Sequence, residues 1–126
     1  MDINGGTVQS TGSGSVSLSG TGGSNAGTGN SGVRVASGAT VTSSGAAVQV
    51  TGTAGGGASK FGIDLLGTIS QTGSGNVTLI ADSISINTSS GVVSAADDTV
   101  HIRQQTAGTY INLGGNDAFG SPLTLG

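Results

Sequence analysis

Three segments of the chain carry one pattern that decides the fold: residues 6–20, GTVQSTGSGSVSLSG, residues 39–52, ATVTSSGAAVQVTG, and residues 67–81, GTISQTGSGNVTLIA. Each segment contains two short runs in which apolar and polar residues alternate, which is typical of a β-strand with one buried face. Each is followed by a third run of the same kind, GVRV, GIDL or SISI. Three short strands in each repeat predict one rung of a three-sided solenoid, and therefore an all-β fold.

Apolar anchor residues at equivalent positions recur roughly every 21–33 residues, which predicts about four rungs. The anchors are Val8, Val41 and Ile69 in the first strands, Val16, Val48, Val77 and Val100 in the second strands, and Val33, Ile63, Ile84 and Ile111 in the third strands. The first predicted strand is Thr7–Ser10, the fourth rung is expected to start near Val92 and Val93, and residues 123–125 would open a fifth. Residues 1–126 are thus interpreted as a single β-helix segment.

The composition is unusual for a folded domain, because Gly supplies 26 of the 126 residues. Disorder is favoured by low hydrophobicity combined with high charge, yet 33% of the residues are hydrophobic and only 7% are charged. A solenoid needs only a narrow core, in which aliphatic side chains of each strand stack on those of the next rung. The predicted inward columns are Val16–Val48–Val77–Val100 and Leu18–Val50–Leu79–Ile102. An antiparallel sandwich is the alternative, but the aromatic content of 2% is low for its two inner faces.

Composition also excludes several classes of function. A net charge of −3 with only three Lys and Arg residues leaves no basic patch for a run of phosphates, so we expect no nucleic-acid partner. No apolar run approaches the ~18 residues of a membrane span, so we expect no membrane insertion. The absence of cysteine excludes disulfides and thiolate metal sites.

The titratable residues predict no catalytic site. His101 is the only histidine, and it lies between two aliphatic residues in an alternating run, which directs it outward. Asp64 is expected to face outward for the same reason, whereas Asp82 lies at a corner and Asp97 and Asp98 in a connecting loop. No two carboxylates occupy equivalent positions of neighbouring rungs, so paired-carboxylate catalysis lacks support. The sequence therefore predicts no catalytic residue, no cofactor and no metal site.

Two Gly-rich loops, residues 20–32 and 52–62, interrupt the same corner of successive rungs and are expected to lie side by side. The second loop contains Lys60, the only lysine, and Phe61, one of two phenylalanines, and these two residues are the candidates for a binding contact. The alternative is a mobile insertion that binds nothing.

Two further patterns are weaker. Residues 114–120, GGNDAFG, match part of the calcium-binding nonapeptide repeat, but a single copy predicts a simple turn. The pairs Thr40 with Thr42 and Thr51 with Thr53 are the local TxT sequences found in ice-binding solenoids. Because Gln9 and Ser70 occupy the positions equivalent to Thr42, the array is not sustained, and ice binding is only a distant alternative.

The repeated TVxSxGxxVxVxG pattern followed by GIxL resembles the shaft of filamentous-haemagglutinin-like secreted adhesins. The segments that carry it are residues 32–82, GVRVASGATVTSSGAAVQVTGTAGGGASKFGIDLLGTISQTGSGNVTLIAD, and residues 99–126, TVHIRQQTAGTYINLGGNDAFGSPLTLG. The resemblance implies a right-handed parallel β-helix, export through an outer-membrane partner, and a role in surface attachment or extracellular filaments. It also implies that the chain is a stretch of a longer shaft.

These observations together predict a non-enzymatic structural or adhesive module that is secreted or held at the bacterial surface. A carbohydrate-binding or carbohydrate-processing β-helix is the alternative. Neither terminus carries a recognisable cap, so we expect head-to-tail association into a filament with a rise of about 20 Å per chain, or capping by neighbouring domains. A host or surface glycan or protein is a further expected partner.

Overall fold

Equivalent strands of successive repeats pair side by side in the computed structural model, which describes residues 1–58, 60–110 and 112–113. All pairings between these strands are parallel. The strands in chain order are β1 (Asp2–Ile3), β2 (Thr7–Ser10), β3 (Val16–Thr21), β4 (Val33–Val35), β5 (Thr40–Ser43), β6 (Val48–Thr53), β7 (Ile63–Leu65), β8 (Thr68–Gln71), β9 (Val77–Ile80), β10 (Ser83–Ile86), β11 (Val92–Ala95), β12 (Val100–Arg103) and β13 (Asn112–Leu113).

The strands form three sheets, which we number in the order in which the first repeat visits them. Sheet 1 has the order β2-β5-β8-β11, sheet 2 the order β3-β6-β9-β12, and sheet 3 the order β1-β4-β7-β10-β13. The chain passes from sheet 1 to sheet 2 to sheet 3 and returns to sheet 1 beside the strand it left. This arrangement is a three-sided parallel β-helix of about four rungs, which confirms the fold class predicted from the repeat.

The predicted inward columns form the core. The register places Val16, Val48, Val77 and Val100 in one column and Leu18, Val50, Leu79 and Ile102 in the next. The side chains in the middle of these columns are fully buried, whereas Val100 and Ile102 at one end are only partly buried. The narrow core is thus complete in the middle rungs, where each aliphatic side chain has a neighbour both above and below it.

Two polar side chains are buried at the end of the sheet 1 strands. The Ser43 hydroxyl donates to the carbonyl of Gly14 (3.0 Å) and accepts from the N–H of Ala46 (3.2 Å), so its hydrogen bonds are satisfied. Gln71 follows it in the same column and is 1% exposed, but neither its amide nitrogen nor its amide oxygen has a hydrogen-bond partner. The buried amide of Gln71 is therefore a local source of instability.

Strand β1 was not predicted, because the sequence pattern places the first strand at Thr7. The two residues of β1 pair with β4 through Asp2 opposite Arg34 and Ile3 opposite Val35. A strand of two residues is too short to show alternation, and the glycines that follow it give no strand signal. The prediction that Thr7–Ser10 is the first strand is therefore wrong, since β1 precedes it.

The register at the other end of sheet 3 also differs from the prediction. Leu113, not Ile111, is the residue opposite Ile84. The two residues are two positions apart, and strand side chains alternate with a period of two, so the alternation fits both registers equally. Strand β13 begins at Asn112. Ile111, the GGNDAFG segment at 114–120 and the predicted strand at 123–125 lie outside the described residues.

The Gly-rich loops are shorter than predicted, because strands β3 and β6 continue to Thr21 and Thr53. Gly20 pairs with Gly52 in this extension. Both positions need glycine, because a Cβ at Gly20 would overlap the carbonyl of Gly32 and a Cβ at Gly52 would overlap the carbonyl of Gly62. The loops therefore begin at Gly22 and Ala54 instead of Gly20 and Gly52.

Candidate functional site

The corner between sheet 2 and sheet 3 is where the rungs differ most in length. We call it the variable corner, and it consists of residues 22–32, 54–62, 81–82 and 104–110 in the four successive rungs. The candidate contact residues Lys60 and Phe61 and the carboxylate of Asp82 lie in it. The described hydrogen bonds show which of these residues the corner brings into contact.

The first two loops of the variable corner are joined through their backbones. Gly22 N–H donates to Thr53 O (2.9 Å), Gly55 N–H to Asn30 O (2.9 Å), and Gly56 N–H to Gly23 O (2.8 Å). The loops approach so closely that a Cβ at Gly55 would overlap the carbonyl of Gly23. Their high glycine content is therefore a requirement of backbone packing between two layers.

The side chain of Asn30 joins the two layers. The Nδ2 group of Asn30 donates to Asn25 O (2.8 Å) within its own loop and to Gly56 O (2.9 Å) in the loop below. An isolated asparagine among glycines gives no sequence signal for such a role, because the acceptor lies 26 positions away. Asn30 was therefore not predicted as a functional residue. The loops of residues 22–32 and 54–62 form one hydrogen-bonded unit, which we call the flap.

Lys60 and Phe61 lie in the part of the flap that returns to sheet 3. The backbone of Phe61 is fixed, since its carbonyl accepts from the N–H of Gly32 (2.9 Å), and its side chain is partly buried. The side chain of Lys60 is exposed. Lys60 and Phe61 are thus neighbours in the chain of which the first is exposed and the second is partly buried.

Asp82 lies at the two-residue corner of the third rung, and its carboxylate accepts hydrogen bonds from the loop of the fourth rung. Its Oδ1 accepts from the N–H groups of Gln105 (2.8 Å) and Thr106 (2.7 Å), and its Oδ2 from the Thr106 hydroxyl (2.6 Å). The hydroxyl of Thr109 donates to the same carboxylate at 2.9 Å. These hydrogen bonds, the one from the Thr106 hydroxyl first, lower the pKa of Asp82 from 3.8 to about 2.

The fourth loop also reaches past the third rung to the second. The Thr53 hydroxyl donates to Gln105 Oε1 (3.0 Å), and Gln105 Nε2 donates to Thr53 Oγ1 (2.9 Å). The contact is made across Asp82, whose rung has only two residues at this corner. Thr53 and Gln105 are 52 positions apart, so no local pattern could have indicated the pair.

A charged column runs along the outer face of sheet 3. The register aligns Asp2, Arg34 and Asp64, and Arg34 contacts both carboxylates, at 3.3 Å to Asp2 and 3.6 Å to Asp64. Partial burial raises the pKa of Asp64 above 3.8, although Arg34 and a hydrogen bond from Ser85 act in the opposite direction. Asp64 faces outward as predicted, but the column was missed because β1 was not recognised.

The remaining titratable candidates lie apart from the variable corner's hydrogen-bond network. His101 is exposed on the outer face of sheet 2, opposite Thr78, as its position in the alternation predicts. Asp98, in the loop before β12, accepts from the N–H of Gly75 in the rung above (2.7 Å). Within the described part of the chain, no group of three or more His, Asp, Glu or Cys residues is placed to hold a metal ion.

The two threonine pairs considered for ice binding do not share a surface. Thr40 and Thr42 lie on sheet 1, where Thr42 accepts a hydrogen bond from the Ser70 hydroxyl (3.0 Å). Thr51 and Thr53 lie on sheet 2, and Thr53 is bonded to Gln105. The pairs therefore cannot combine into one flat array.

An open cleft of about 480 Å³ lies at the end of sheet 2, lined by Ile102, Arg103, Gln104, Gln105 and Ala107. It follows the last described strand of that sheet, next to the loop that Asp82 holds.

Among the described residues, no helix is both long enough and apolar enough to cross a membrane. Comparison of the chain with protein-family models, with curated proteins and with solved structures gives no match.

Proposed function

We propose that this chain is a non-enzymatic structural or adhesive module, a segment of shaft or spacer in a secreted bacterial surface protein or extracellular filament. The observation that carries the proposal is the use of the charged side chains. Asp82 and Asp98 accept hydrogen bonds from neighbouring rungs, and Arg34 lies between two carboxylates of the same column. These groups join rungs, which is the requirement of a rod that must resist separation along its axis.

The chemistry of Asp82 agrees with this role. A general base is most effective when its pKa lies near the working pH, whereas the pKa of Asp82 is held at about 2. Asp82 is therefore better suited to hold a loop than to transfer a proton. The resemblance to haemagglutinin-like shafts supports the same function.

The test of the structural function is an assay of the purified chain for release of reducing sugars from a panel of common polysaccharides. We expect no turnover with the wild type. Turnover that Asp64→Ala, Asp82→Ala or Asp98→Ala abolishes, in variants that still fold, would overturn the proposal in favour of a carbohydrate-processing β-helix. Surface labelling of intact source cells by an antibody against the chain tests the proposed location, and labelling only after permeabilisation would contradict it.

A carbohydrate-binding module is the second candidate, and the flap is the observation that favours it. Lys60 and Phe61 place a cation and an aromatic ring next to each other in the chain, in the second loop of the flap, and aromatic rings and charged groups are common elements of small-ligand sites. A glycan array would test this function, with Lys60→Ala and Phe61→Ala as variants and Thr28→Ala, exposed on the other layer of the flap, as the matched control. Binding lost in both variants and kept in the control would support a glycan site at the flap.

The partner that we propose for the structural function is a second copy of the chain, stacked end to end. Among the described strands, β2 and β3 lie at one end of sheets 1 and 2, and β11 and β12 lie at the other. Val100 and Ile102 occupy the same columns as Val16 and Leu18, so the last described rung of one copy placed on the first rung of another continues each column. Strand edges with unpaired backbone groups favour such pairing.

Sedimentation velocity over a range of concentrations, with electron microscopy of the same samples, tests the end-to-end partner. We expect the sedimentation coefficient to rise with concentration and rods to lengthen. A stable monomer at the highest concentration would contradict self-association and leave neighbouring domains as the caps.

A further inference from the structure

One pair of neighbouring residues carries two groups that can react with each other, at a position open to solvent. Asn4 is followed by Gly5, and this is the only Asn–Gly pair in the sequence. The pair lies in the connection between β1, which ends at Ile3, and β2, which begins at Thr7. Both residues are exposed, so water reaches the side-chain amide of Asn4 and the peptide bond that follows it.

The backbone nitrogen of Gly5 is available to attack the side chain before it. The N–H of Thr40 donates to Gly6 O (3.0 Å), but the N–H of Gly5 has no backbone acceptor among the described residues. Gly5 adopts a φ angle of 133°, and apart from its chain neighbours no atom lies within 4 Å of the position that a Cβ would occupy. Neither a backbone hydrogen bond nor a side chain therefore hinders this nitrogen.

Two other asparagines of the described chain are held in ways that Asn4 is not. The Oδ1 atom of Asn76 accepts from the N–H of Thr99 (3.1 Å), and the N–H of the residue after Asn76 donates to Thr99 O (3.1 Å). The Oδ1 atom of Asn87 accepts from the N–H groups of Ser89 (3.0 Å) and of the residue after it (3.1 Å). No hydrogen bond between described residues restrains the side-chain amide of Asn4 in this way, so the next backbone nitrogen can reach it.

The reaction that this pair permits is the loss of the side-chain amide without an enzyme, and asparagine is among the thermolabile residues of proteins. The Gly5 nitrogen gives up its proton to solvent, and its electron pair forms a bond to Asn4 Cγ. The bond between Cγ and Nδ2 breaks, and Nδ2 takes up a proton and leaves as ammonia, which closes a five-membered succinimide ring. Water then opens the ring at one of its two carbonyls. Attack at Cγ gives aspartate, and attack at the backbone carbonyl gives isoaspartate, whose main chain runs through Cγ and is one methylene longer.

We propose that Asn4 is a site of spontaneous deamidation, with water as the only co-reactant, and that the fold accommodates both products. The inference does not depend on the proposed function. Gly6 has a φ angle of 73° and open space around the position of a Cβ, so the connection has room for the additional methylene of isoaspartate. The N–H of Ala36 donates to Ile3 O on the β1 side of the modified bond, so the pairing of β1 with β4 is kept. The modification adds one negative charge to a net charge of −3.

The rate of deamidation at each asparagine tests the proposal. The purified chain is incubated in mildly alkaline buffer, both folded and in urea, and each site is followed by peptide mass spectrometry with a fragmentation method that separates aspartate from isoaspartate. In the folded chain we expect Asn4 to react about tenfold faster than Asn76 and Asn87. Folding should slow the reaction at Asn76 and Asn87 and leave the rate at Asn4 nearly unchanged. If folding slows Asn4 as much as the other two, the connection keeps the reacting groups apart and the proposal is wrong.

Two substitutions identify the site through the charge that it gains. Asn4→Gln keeps an amide but would have to close a larger ring, which forms far more slowly. Asn25→Gln is the matched control, because Asn25 is also exposed but is followed by Ala26, whose Cβ hinders the attack. On ion-exchange chromatography we expect acidic species to accumulate equally in the wild type and in Asn25→Gln, and about tenfold more slowly in Asn4→Gln. Equal accumulation in Asn4→Gln and the wild type would overturn the assignment of the site.

Amide hydrogen exchange tests whether the fold accommodates the products. The amides of Arg34 and Ala36 donate to the segment that ends at Ile3, and they report on the pairing of β1 with β4. In wild type incubated until Asn4 has reacted, we expect both amides to exchange as slowly as in fresh protein. Faster exchange would show that the modification displaces β1 and would overturn this part of the proposal. Asn4→Asp then assigns the cause, because it carries the new charge without the additional methylene.

Discussion

The interior columns and the variable corner join the same rungs by different means. In the columns, each rung repeats the same kind of side chain at the equivalent position of its strand, and the contact between Val48, Val77 and their neighbours is apolar. At the corner, each rung contributes a different polar group, such as Asn30 or Asp82, and each group has its own partners. The comparison shows that the core keeps the register, which leaves the corner free to change in length and in chemistry.

The largest expected effect comes from placing a charge in a column. Leu79 is fully buried, so Leu79→Asp would bury an unpaired carboxylate and is expected to destabilise the fold by about 3–5 kcal/mol. Thr78→Asp, one residue away on the outer face, should cost less than about 1 kcal/mol. Urea unfolding of both variants measures the difference. Equal destabilisation would mean that the described register is wrong and would remove the basis of the comparison.

A smaller effect, an increase in stability, is expected from replacing the polar side chain that is buried in a column of sheet 1. Gln71→Leu replaces a buried amide without partners, and the unfolding free energy should rise by about 1–2 kcal/mol. Gln49→Leu is the matched control, because Gln49 is exposed on the outer face of sheet 2 and should change stability little. A loss of stability in Gln71→Leu would show that the Gln71 amide makes hydrogen bonds in the folded protein. Polar contacts between rungs would then occur in the core as well as at the variable corner.

The flap permits a test of the corner alone. Asn30→Ala removes hydrogen bonds that join its two layers, and we expect a loss of about 1 kcal/mol or less, with faster amide exchange at Gly55 and Gly56. Asn25→Ala is the matched control, because the described hydrogen bond at Asn25 uses its backbone carbonyl, which alanine keeps. If exchange at Gly55 and Gly56 is unchanged in Asn30→Ala, the backbone contacts alone hold the flap.

The smallest effect is expected for Asp82, because its carboxylate is exposed to solvent. Its folded pKa is about 2, below the ordinary 3.8, so its contribution is fully present above pH 3.8 and is lost as the pH falls towards 2. The melting temperatures of the wild type and Asp82→Asn should therefore converge between pH 4 and pH 2. A constant difference across this window would mean that the charge of Asp82 does not hold the fourth loop.

Much of the fold follows from the sequence alone, because alternation and repeat are local signals that recur in every rung. The columns containing Val48 and Leu79 could be aligned by eye, since each rung carries the same apolar pair at the same spacing. The outward positions of Asp64 and His101 followed from the same alternation. Hydrogen bonds between parallel neighbours then fix the three sheets once the columns are in place.

Other features depended on the tertiary structure. The two-residue strand β1, the choice of Leu113 over Ile111 and the contact between Thr53 and Gln105 each lack a local signal. The physical reason is that a period of two cannot distinguish positions two residues apart, and a corner contact depends on how far each loop extends from its rung. The sequence by itself determined which side chains stack inside the helix. Only the tertiary structure decided which polar groups meet outside it, because those meetings depend on the relative lengths of separate loops.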